Sequence, residues 1–363
     1  MQFKRFSVLF AFILTFSSFF SSFAFAESNV KPSLVALGDS ITYGWNLDDT
    51  NGNTNQSSKA FPYLIGNGDY RVSANISGGG WTSGKLLNEI SKPENILAIK
   101  NADVITIDIG SNDYLQNELI QKLRAGQPVD PVQLPIAIGQ VTKQLSINLG
   151  AIIGTIRAYN QDAPIILYNI YNPFWDTNAA LYPLGEQFLP IANGAIQQVA
   201  TASKSLLADS YTAFKGKQSD YIFPGGDIHP NEAGQQVLAG LATSLLSALP
   251  KGEITIDLTA STTEPTSDSV TITVSTSAKK ALAIQWLKGD KTVEDFAKVG
   301  TGVDIKEKKF QVTTNGTYTV YIRDAKGAMA VKSITISNIR KGWGIGNGHS
   351  NINMNNQHQT LNK

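Results

Sequence analysis

The fold of this chain is decided by one stretch near its amino terminus, Ser33-Leu34-Val35-Ala36-Leu37-Gly38-Asp39-Ser40-Ile41-Thr42. Its first half is a short apolar run, which is typical of a buried strand. Its second half leaves that strand through a glycine and presents an acid followed by a hydroxyl. Gly-Asp-Ser is also ordinary turn chemistry, so the stretch taken alone favours a solvated turn. Its meaning therefore depends on the rest of the chain.

Apolar runs of this kind recur along the chain, and helical stretches separate them. The five runs are Val35–Leu37, Val72–Ile76, Val104–Ile109, Ile165–Ile170 and Leu206–Ala208. The clearest helix has apolar residues at spacings of three and four: Ile138, Val141, Leu145, Leu149, Ile152 and Ile156. Another is expected from about Asn231 to Ala248. This alternation predicts an α/β domain over residues 33–249, with a parallel sheet covered by helices on both faces. In such sheets, functional residues gather at the carboxyl ends of the strands.

The hydrophobic period changes after Pro250. Apolar and polar residues now alternate, which is the signature of half-buried antiparallel strands. The apolar members are Ile254, Ile256, Leu258, Val270, Ile272, Val274, Tyr318, Val320, Ile322, Ile334 and Ile336. Residues 253–338 are therefore predicted to form a separate small β-sandwich, which resembles bacterial immunoglobulin-like modules in its architecture. We treat this module as a candidate for binding cell wall or glycan.

The two ends of the chain differ from these domains. Residues 1–26 combine a basic start, an apolar stretch dotted with serines and the small-x-small pattern Ala24-Phe25-Ala26. This pattern predicts a secretory signal peptide cleaved near Ala26, and hence an extracellular protein without a stable membrane anchor. Residues 340–363 are rich in Asn and Gly and are predicted to be a disordered polar tail. The tail histidines, His349 and His358, stand in two separate places, and no metal site is expected from them.

Charge and cysteine content exclude several classes of function. Residues 1–26 contain two basic residues and no acid, so the remaining chain carries 28 Lys and Arg against 29 Asp and Glu. This balance gives no electrostatic basis for binding nucleic acid. The chain has 0 Cys, which removes disulfides, cysteine nucleophiles and thiolate metal sites. We expect neither a metal nor a cofactor.

One histidine stands out because it is the only one outside the tail. The chain has 3 His, and His229 lies in the loop Gly225-Gly226-Asp227-Ile228-His229-Pro230-Asn231, which opens the last helix of the α/β domain. A serine hydroxyl is a poor nucleophile until a positioned base accepts its proton, and imidazole titrates in the useful range. If the protein is a serine hydrolase, His229 is its base. The alternative for this residue is a structural hydrogen bond at a helix terminus.

Two further loops follow predicted strands. Asn75-Ile76-Ser77-Gly78-Gly79-Gly80-Trp81-Thr82 ends a strand with glycines, whose backbone N–H groups can face a ligand unobstructed. Ile109-Gly110-Ser111-Asn112-Asp113 follows the next strand, and the Asn112 amide could donate to a developing oxyanion. Read singly, the first is equally a flexible connector and the second an ordinary strand-to-helix turn.

Taken together, these blocks resemble the SGNH/GDSL hydrolase family. The four occur in order: Gly38 to Thr42, Asn75 to Thr82, Gly110 to Asp113 and Asp227 to Asn231. Their coincidence over residues 33–249 is far more specific than any one of them. The resemblance implies a flavodoxin-like three-layer α/β/α fold and ester hydrolysis. It also implies Ser40 as nucleophile, His229 as general base, and an oxyanion hole formed by the Ser40 and Gly80 backbone N–H groups with the Asn112 side chain.

The sequence departs from the family at the acid. The family pattern has Asp three residues before the histidine, where this chain has Gly226, and Asp227 stands two residues before His229. Three arrangements are open: Asp227 reaches the histidine by a different loop path, a backbone carbonyl orients the ring in a Ser–His dyad, or a distant acid such as Asp220 serves. Asp227 is the preferred candidate.

Aromatic residues beyond the predicted strand ends supply candidate walls for a substrate pocket, and they would suit acyl chains or sugar rings. They are Trp45, Trp81, Tyr171, Phe174 and Trp175. The leading hypothesis is a secreted serine esterase or lipase acting on an acyl lipid or an acylated glycan. The alternatives are a carbohydrate or cell-wall deacetylase using the same site, and a catalytically inactive surface or matrix-binding protein.

Overall fold

The computed structural model describes residues 31–48, 53–297 and 301–340. The predicted signal peptide over residues 1–26 lies outside the described residues. So does the predicted polar tail from residue 341 onward, with both of its histidines.

A five-stranded parallel sheet forms the centre of the first domain. Its strands are β1 (Ser33–Gly38), β2 (Arg71–Ser77), β3 (Val104–Asp108), β4 (Ile165–Tyr168) and β5 (Leu206–Ala208). They are arranged in the order β2-β1-β3-β4-β5, and every neighbouring pair is parallel. This is the flavodoxin-like order, in which the first strand of the chain lies inside the sheet and the direction of winding reverses beside it. The predicted flavodoxin-like α/β fold is confirmed.

Helices cover both faces of this sheet. They are α1 (Ser40–Tyr43), α2 (Phe61–Leu64), α3 (Ser83–Ile90), α4 (Pro93–Asn101), α5 (Ser111–Leu115), α6 (Glu118–Arg124), α7 (Gln133–Tyr159), α8 (Leu181–Ala202), α9 (Ser210–Phe214), α10 (Gln218–Tyr221) and α11 (Glu232–Ser247). Alternate residues of β1 point to opposite faces. Val35 and Leu37 join the core beneath α3, α4, α7 and α8. Leu34 and Ala36 join the core beneath α2 and α11. The three layers predicted for this domain are therefore present.

The two helices expected from their spacing are both present, as α7 and α11. Helix α7 buries Ile138, Leu145 and Ile152, members of the apolar stripe seen in the sequence. Helix α11 is capped by Asn231, whose side chain accepts a hydrogen bond from the Gly234 N–H at 3.0 Å. Capping of this kind satisfies a backbone donor that has no partner inside the helix. The cap also fixes the chain two residues after His229.

The second part of the chain is all-β apart from one short helix, α12 (Val293–Phe296). Its strands are β6 (Ile256–Ala260), β7 (Val270–Thr276), β8 (Ala281–Lys288), β9 (Val303–Asp304), β10 (Lys309–Val312), β11 (Gly316–Asp324) and β12 (Met329–Ile336). They form two antiparallel sheets, β10-β7-β6 and β12-β11-β8-β9. One apolar core takes Ile272 from the first sheet and Val320 from the second. The predicted all-β unit is therefore present as two packed sheets. Its immunoglobulin-like character and its binding of wall or glycan stay predictions.

Ion pairs join this β unit to the α/β domain away from Ser40. Lys280 Nζ lies 2.7 Å from Asp103 Oδ1, and Lys279 Nζ lies 3.1 Å from Asp162 Oδ1. Asp103 and Asp162 precede β3 and β4, so both contacts are at the amino-terminal edge of the sheet. Ser40 follows β1 at the opposite, carboxyl edge. Among the residues described here, no helix combines the length and the hydrophobicity needed to cross a bilayer.

Candidate active site

The turn after β1 is tightly packed around Ser40. A Cβ atom on Gly38 would lie 2.0 Å from Thr42 Oγ1 and 2.5 Å from the Asp108 carbonyl oxygen, so only glycine allows this exit from the strand. Asp39 caps α1 by accepting a hydrogen bond from the Ile41 N–H at 2.9 Å. Ser40 is the first residue of that helix and is only 7% exposed. The sequence from Gly38 to Thr42 thus holds one hydroxyl in a fixed position at the sheet edge.

Ser40, His229 and Asp227 form a continuous chain of hydrogen bonds. His229 Nδ1 lies 2.6 Å from Asp227 Oδ1, and His229 Nε2 lies 3.0 Å from Ser40 Oγ. An ionised carboxylate oxygen only accepts hydrogen bonds, so Nδ1 carries the ring proton and donates it. In the neutral ring Nε2 is then the acceptor, and the Ser40 hydroxyl donates to it. The ring is held in the tautomer that can receive a proton from Ser40.

The path of the chain before His229 explains how an acid two residues away reaches the ring. Gly225 and Gly226 both have left-handed backbone angles, with φ of +83° and +86°. Asp227 Oδ1 accepts hydrogen bonds from the backbone N–H groups of Ile228 and His229 at 2.6 and 3.0 Å. This tight turn folds the carboxylate back under the imidazole. Of the three arrangements left open by the sequence, the structure has the first: Asp227 reaches His229 Nδ1 by this different loop path.

The other two arrangements are not seen. Asp220 lies 3.8 Å from Lys217 in an exposed ion pair. Its backbone carbonyl accepts a hydrogen bond from Asn231 at 2.9 Å. No backbone carbonyl is needed at His229 Nδ1, because Asp227 occupies that position.

Electrostatics favour an ionised Asp227 beside a neutral His229. Burial raises the pKa of Asp227, but hydrogen bonds from the His229 backbone and ring outweigh it and hold that pKa below its ordinary value. Burial lowers the pKa of His229, and the attraction of Asp227 opposes this only in part. The imidazole is therefore unprotonated at neutral pH, as a proton acceptor must be.

Asn46 supports the acid and was not foreseen from the sequence. Its Nδ2 donates to Asp227 Oδ2 at 2.7 Å, and Asn53 holds Asn46 through two hydrogen bonds, to its backbone N–H and its side chain. Asn46 adopts a left-handed φ of 65°, which asparagine tolerates better than most residues. On the other side, the Tyr171 hydroxyl donates to the Ile228 carbonyl at 2.8 Å. Both contacts fix the loop that carries Asp227 and His229.

The glycine cluster after β2 makes room for two tryptophans. A Cβ atom on Gly78 would lie 2.4 Å from Trp81 Nε1, and one on Gly79 would lie 2.4 Å from the Trp45 ring. The Trp45 ring centre lies 6.1 Å from that of His229. Gly80 has a left-handed φ of +73°, and its carbonyl accepts a hydrogen bond from Gln116 at 2.7 Å. The cluster is therefore a packed part of the site and not a loose connector.

Asn112 ties three of the sequence blocks together. Its Nδ2 donates to Asp39 Oδ2 at 3.3 Å and to the Trp81 carbonyl at 3.1 Å. A small cavity beside it is lined by Ser40, Asn112, Tyr171 and His229, among other residues. Gly80 is not among the described residues that line this cavity. An amide donor thus shares one space with the hydroxyl and the imidazole.

The five aromatic residues proposed as pocket walls take different positions. Tyr171 lines the small cavity with Ser40, and Trp45 lies beside His229. Phe174 lines a larger neighbouring pocket. Trp81 packs on Gly78, and Trp175 lines neither of these two spaces.

Two buried carboxyl groups lie behind the nucleophile turn. Asp108 ends β3 opposite Gly38, and its Oδ2 has no hydrogen-bond partner among the described residues. Burial, and then the charge of Asp39, raises the pKa of Asp108 well above its ordinary value. Burial also raises the pKa of Asp39 to about 7, although the Ile41 N–H opposes it. Both groups retain protons at pH values where an unfolded chain has lost them.

Replacing Asp108 with asparagine should therefore change the pH dependence of stability. A carboxyl whose pKa is raised by folding destabilises the folded state as pH rises from its unfolded pKa toward its folded pKa. Relative to wild type, Asp108→Asn should gain up to about 1.4 kcal/mol of unfolding free energy per pH unit as the pH rises above about 4, the ordinary pKa of an aspartate. Urea unfolding across this range measures the gain. The exposed Asp69→Asn is the matched control, and a constant difference between Asp108→Asn and wild type would refute the expectation.

Comparison with known proteins finds several to which this chain is similar. The spore germination lipase LipC of Bacillus licheniformis is 23% identical over 164 residues, which cover 44% of this chain and 71% of that protein. Protein YpmR of Bacillus subtilis is 24% identical over 220 residues, which cover 59% of this chain and 81% of that protein. Among solved structures, phospholipase A1 from Streptomyces albidoflavus matches with a TM-score of 0.47 and 19% identity, covering 60% of this chain and 100% of that one. The lipase Lip_vut3 from a goat rumen metagenome matches with a TM-score of 0.46 and 21% identity, covering 59% of this chain and 96% of that one.

A family match covers the site as well as the fold. Residues 36–237 match the GDSL-like lipase/acylhydrolase family. This range is more than half of the chain, and it includes Ser40, Asn112, Asp227 and His229.

Proposed function

The chain belongs to the GDSL-like lipase/acylhydrolase family, and from this premise we propose that it hydrolyses carboxylic esters through an acyl-enzyme formed on Ser40. The observation that carries the proposal is the hydrogen-bond chain from Ser40 Oγ through His229 to Asp227, with distances of 3.0 and 2.6 Å. A hydroxyl, a base and an orienting acid in this order are the elements of an activated serine nucleophile.

In the first half of the reaction, Ser40 Oγ attacks the ester carbonyl carbon while its proton passes to His229 Nε2. The carbonyl oxygen becomes an oxyanion, and Asp227 stabilises the imidazolium that forms. When the tetrahedral intermediate collapses, the bond to the alcohol oxygen breaks, and His229 returns the proton to the leaving alkoxide. The acyl group is then bound to Ser40.

In the second half, a water molecule takes the place of the alcohol. It gives a proton to His229 Nε2 as it attacks the acyl carbon. Collapse releases the carboxylic acid, and the proton returns to Ser40 Oγ. Both halves require a neutral imidazole at the start, which the lowered pKa of His229 supplies at neutral pH.

The developing oxyanion is proposed to be held by the backbone N–H groups of Ser40 and Gly80 and by the Asn112 amide. Ser40 begins a helix, where backbone N–H groups have no partner within the helix. The hydrogen bond from Asn112 to Asp39 is long, at 3.3 Å, so exchanging Asp39 for an oxyanion as its acceptor costs little free energy. Asp39 and the Trp81 carbonyl keep the amide close to its working orientation until substrate arrives.

Asn112→Ala should reduce kcat by about 10²- to 10³-fold, the loss found when one preorganised donor is removed from an oxyanion site. KM should change little, because the donor acts mainly on charge that develops in the transition state. Steady-state kinetics on p-nitrophenyl butyrate measure both constants. Asn117→Ala, which removes an asparagine that caps the nearby helix α6, is the control for loss of a loop amide. An unchanged kcat in Asn112→Ala would remove this residue from the oxyanion site.

We propose further that the enzyme acts outside the cell, on the strength of the signal-peptide pattern in residues 1–26. The displaced acid is one reason to consider an inactive binding protein, and the short bond between Asp227 and His229 takes that reason away. The test of function is hydrolysis of p-nitrophenyl esters by the purified chain. A chain that folds but hydrolyses none of these esters would overturn the proposal.

A further inference from the structure

An apolar pocket lies next to the small cavity that contains Ser40 and His229. Helix α6 contributes Ile120 and Leu123, α7 contributes Leu134, and α8 contributes Leu184 and Phe188. The pocket encloses about 700 Å³ when the space at its open mouth is counted.

The pocket adjoins the catalytic cavity. Ser111, Leu115 and Pro173 line both of them. These three residues are therefore the ones that an acyl group attached at Ser40 would pass on its way into the pocket.

The lining offers few polar groups to a ligand, and its side-chain hydroxyls are those of Ser111 and Tyr114. None of the described residues that line the pocket is charged. The Tyr114 hydroxyl is already hydrogen-bonded to Thr142 Oγ1 at 2.9 Å. A sugar ring placed here would lose its hydrogen bonds with water and gain few in return, which is costly. A hydrocarbon chain has no such requirement.

Helix α6 shows that the space beneath it is unfilled. This helix carries Leu119, Ile120 and Leu123 toward the core, yet none of its residues is fully buried. On the opposite wall, Leu134 and Ile138 of α7 are buried at 7% and 4% exposure. One wall of the pocket, on α7, is thus part of the core, and the other, on α6, is apolar but half-exposed. A ligand that enters the pocket would cover this apolar surface.

We propose that this pocket binds the acyl chain of the ester and that the preferred substrates carry linear acyl chains well beyond acetyl. The inference rests on the proposed function, because it assumes that the acyl group is attached at Ser40. It places the enzyme among acyl-lipid hydrolases and apart from deacetylases of carbohydrate.

The test compares esters that differ only in acyl length. Burying one methylene group is worth roughly a fourfold change in affinity, so kcat/KM for p-nitrophenyl octanoate should exceed that for p-nitrophenyl acetate by at least about tenfold. Ile120→Trp and Leu184→Trp fill the pocket from two different helices. Each should reduce the octanoate-to-acetate ratio of kcat/KM by at least about tenfold. Ile147→Trp, on the exposed face of α7 and 54% exposed, is the matched control and should leave the ratio unchanged.

The outcomes separate the two proposals. Hydrolysis of acetate with a wild-type ratio at or below one overturns the acyl pocket, whatever the variants do, and leaves the proposed function intact. A high wild-type ratio that both tryptophan variants retain also overturns it. Absence of hydrolysis of every ester is instead the failure of the proposed function.

Discussion

Ser40→Ala should reduce kcat on p-nitrophenyl butyrate by about 10⁴- to 10⁶-fold, a loss that only removal of the His229 imidazole should match. Alanine removes the one hydroxyl that donates to His229 Nε2, so no acyl-enzyme can form. KM should stay within a few-fold, because the cavity and the amide of Asn112 are untouched. Residual turnover would come from water attacking an ester held beside His229.

Stability and a neighbouring serine provide the controls. Ser40 is small and nearly buried, so its replacement by alanine should leave the unfolding curve close to that of wild type. Ser111→Ala, which changes another serine lining the same cavity, should retain most of the activity. Full activity in Ser40→Ala would move the nucleophile elsewhere and end the proposed mechanism.

Asp227→Asn should lower kcat by about 10³- to 10⁴-fold while leaving the fold intact. Asparagine can turn its NH₂ group toward His229 Nδ1, and the ring proton then moves to Nε2. In that tautomer His229 cannot accept the proton of Ser40. A simple Ser–His dyad would tolerate the substitution, so the size of the loss distinguishes a triad from a dyad.

The pH profile gives a second readout for Asp227. In wild type, kcat/KM should fall at acid pH as His229 protonates, with an apparent pKa below the ordinary 6.5 because burial lowers it. Asp227 raises the pKa of His229, so its loss should move the acid limb to still lower pH. Asp220→Asn, which changes the exposed alternative acid, should alter neither kcat nor the profile. If Asp220→Asn and Asp227→Asn behave alike, the assignment of the acid is wrong.

The strands of the sheet could be predicted because most of them are short apolar runs, whereas the flavodoxin-like fold was implied by the family resemblance. β1 and β3 are buried on both faces, so runs such as Val104 to Asp108 are recognisable without any partner. Helix α7 was recognisable from its apolar spacing. Helix α8 was not, since Pro190 lies within it and would ordinarily end a helix. Packing of Ile196 and Ala200 into the core outweighs that local preference.

The sequence predicted those parts of the site in which a single residue has a recognisable chemical role. Ser40, His229 and Asn112 stand at strand ends or in loops where their chemistry is visible in the sequence. The choice among acids was not visible, because it depends on the left-handed angles of Gly225 and Gly226. Asn46 contacts Asp227 across 181 residues, a separation at which no sequence pattern operates.

The acyl pocket was also beyond sequence reasoning. Residues such as Ile120 and Leu184 look like ordinary helix-packing positions, and only the incomplete closure of three helices turns them into a lining. Of the predicted aromatic walls, one lines the small cavity at Ser40 and one lines the apolar pocket. Tyr171 and Phe174 lie on the cavity and on the pocket, respectively.

Covalent labelling tests the activated nucleophile most directly. The folded chain is incubated with a fluorophosphonate, which reacts with activated serine hydroxyls, and the modified residue is located by peptide mass spectrometry. We expect one adduct per chain on Ser40, lost in Ser40→Ala, strongly slowed in Asp227→Asn and absent after heat denaturation. Folded, ester-hydrolysing protein that remains unlabelled, or that carries its adduct on a residue other than Ser40, would contradict the account.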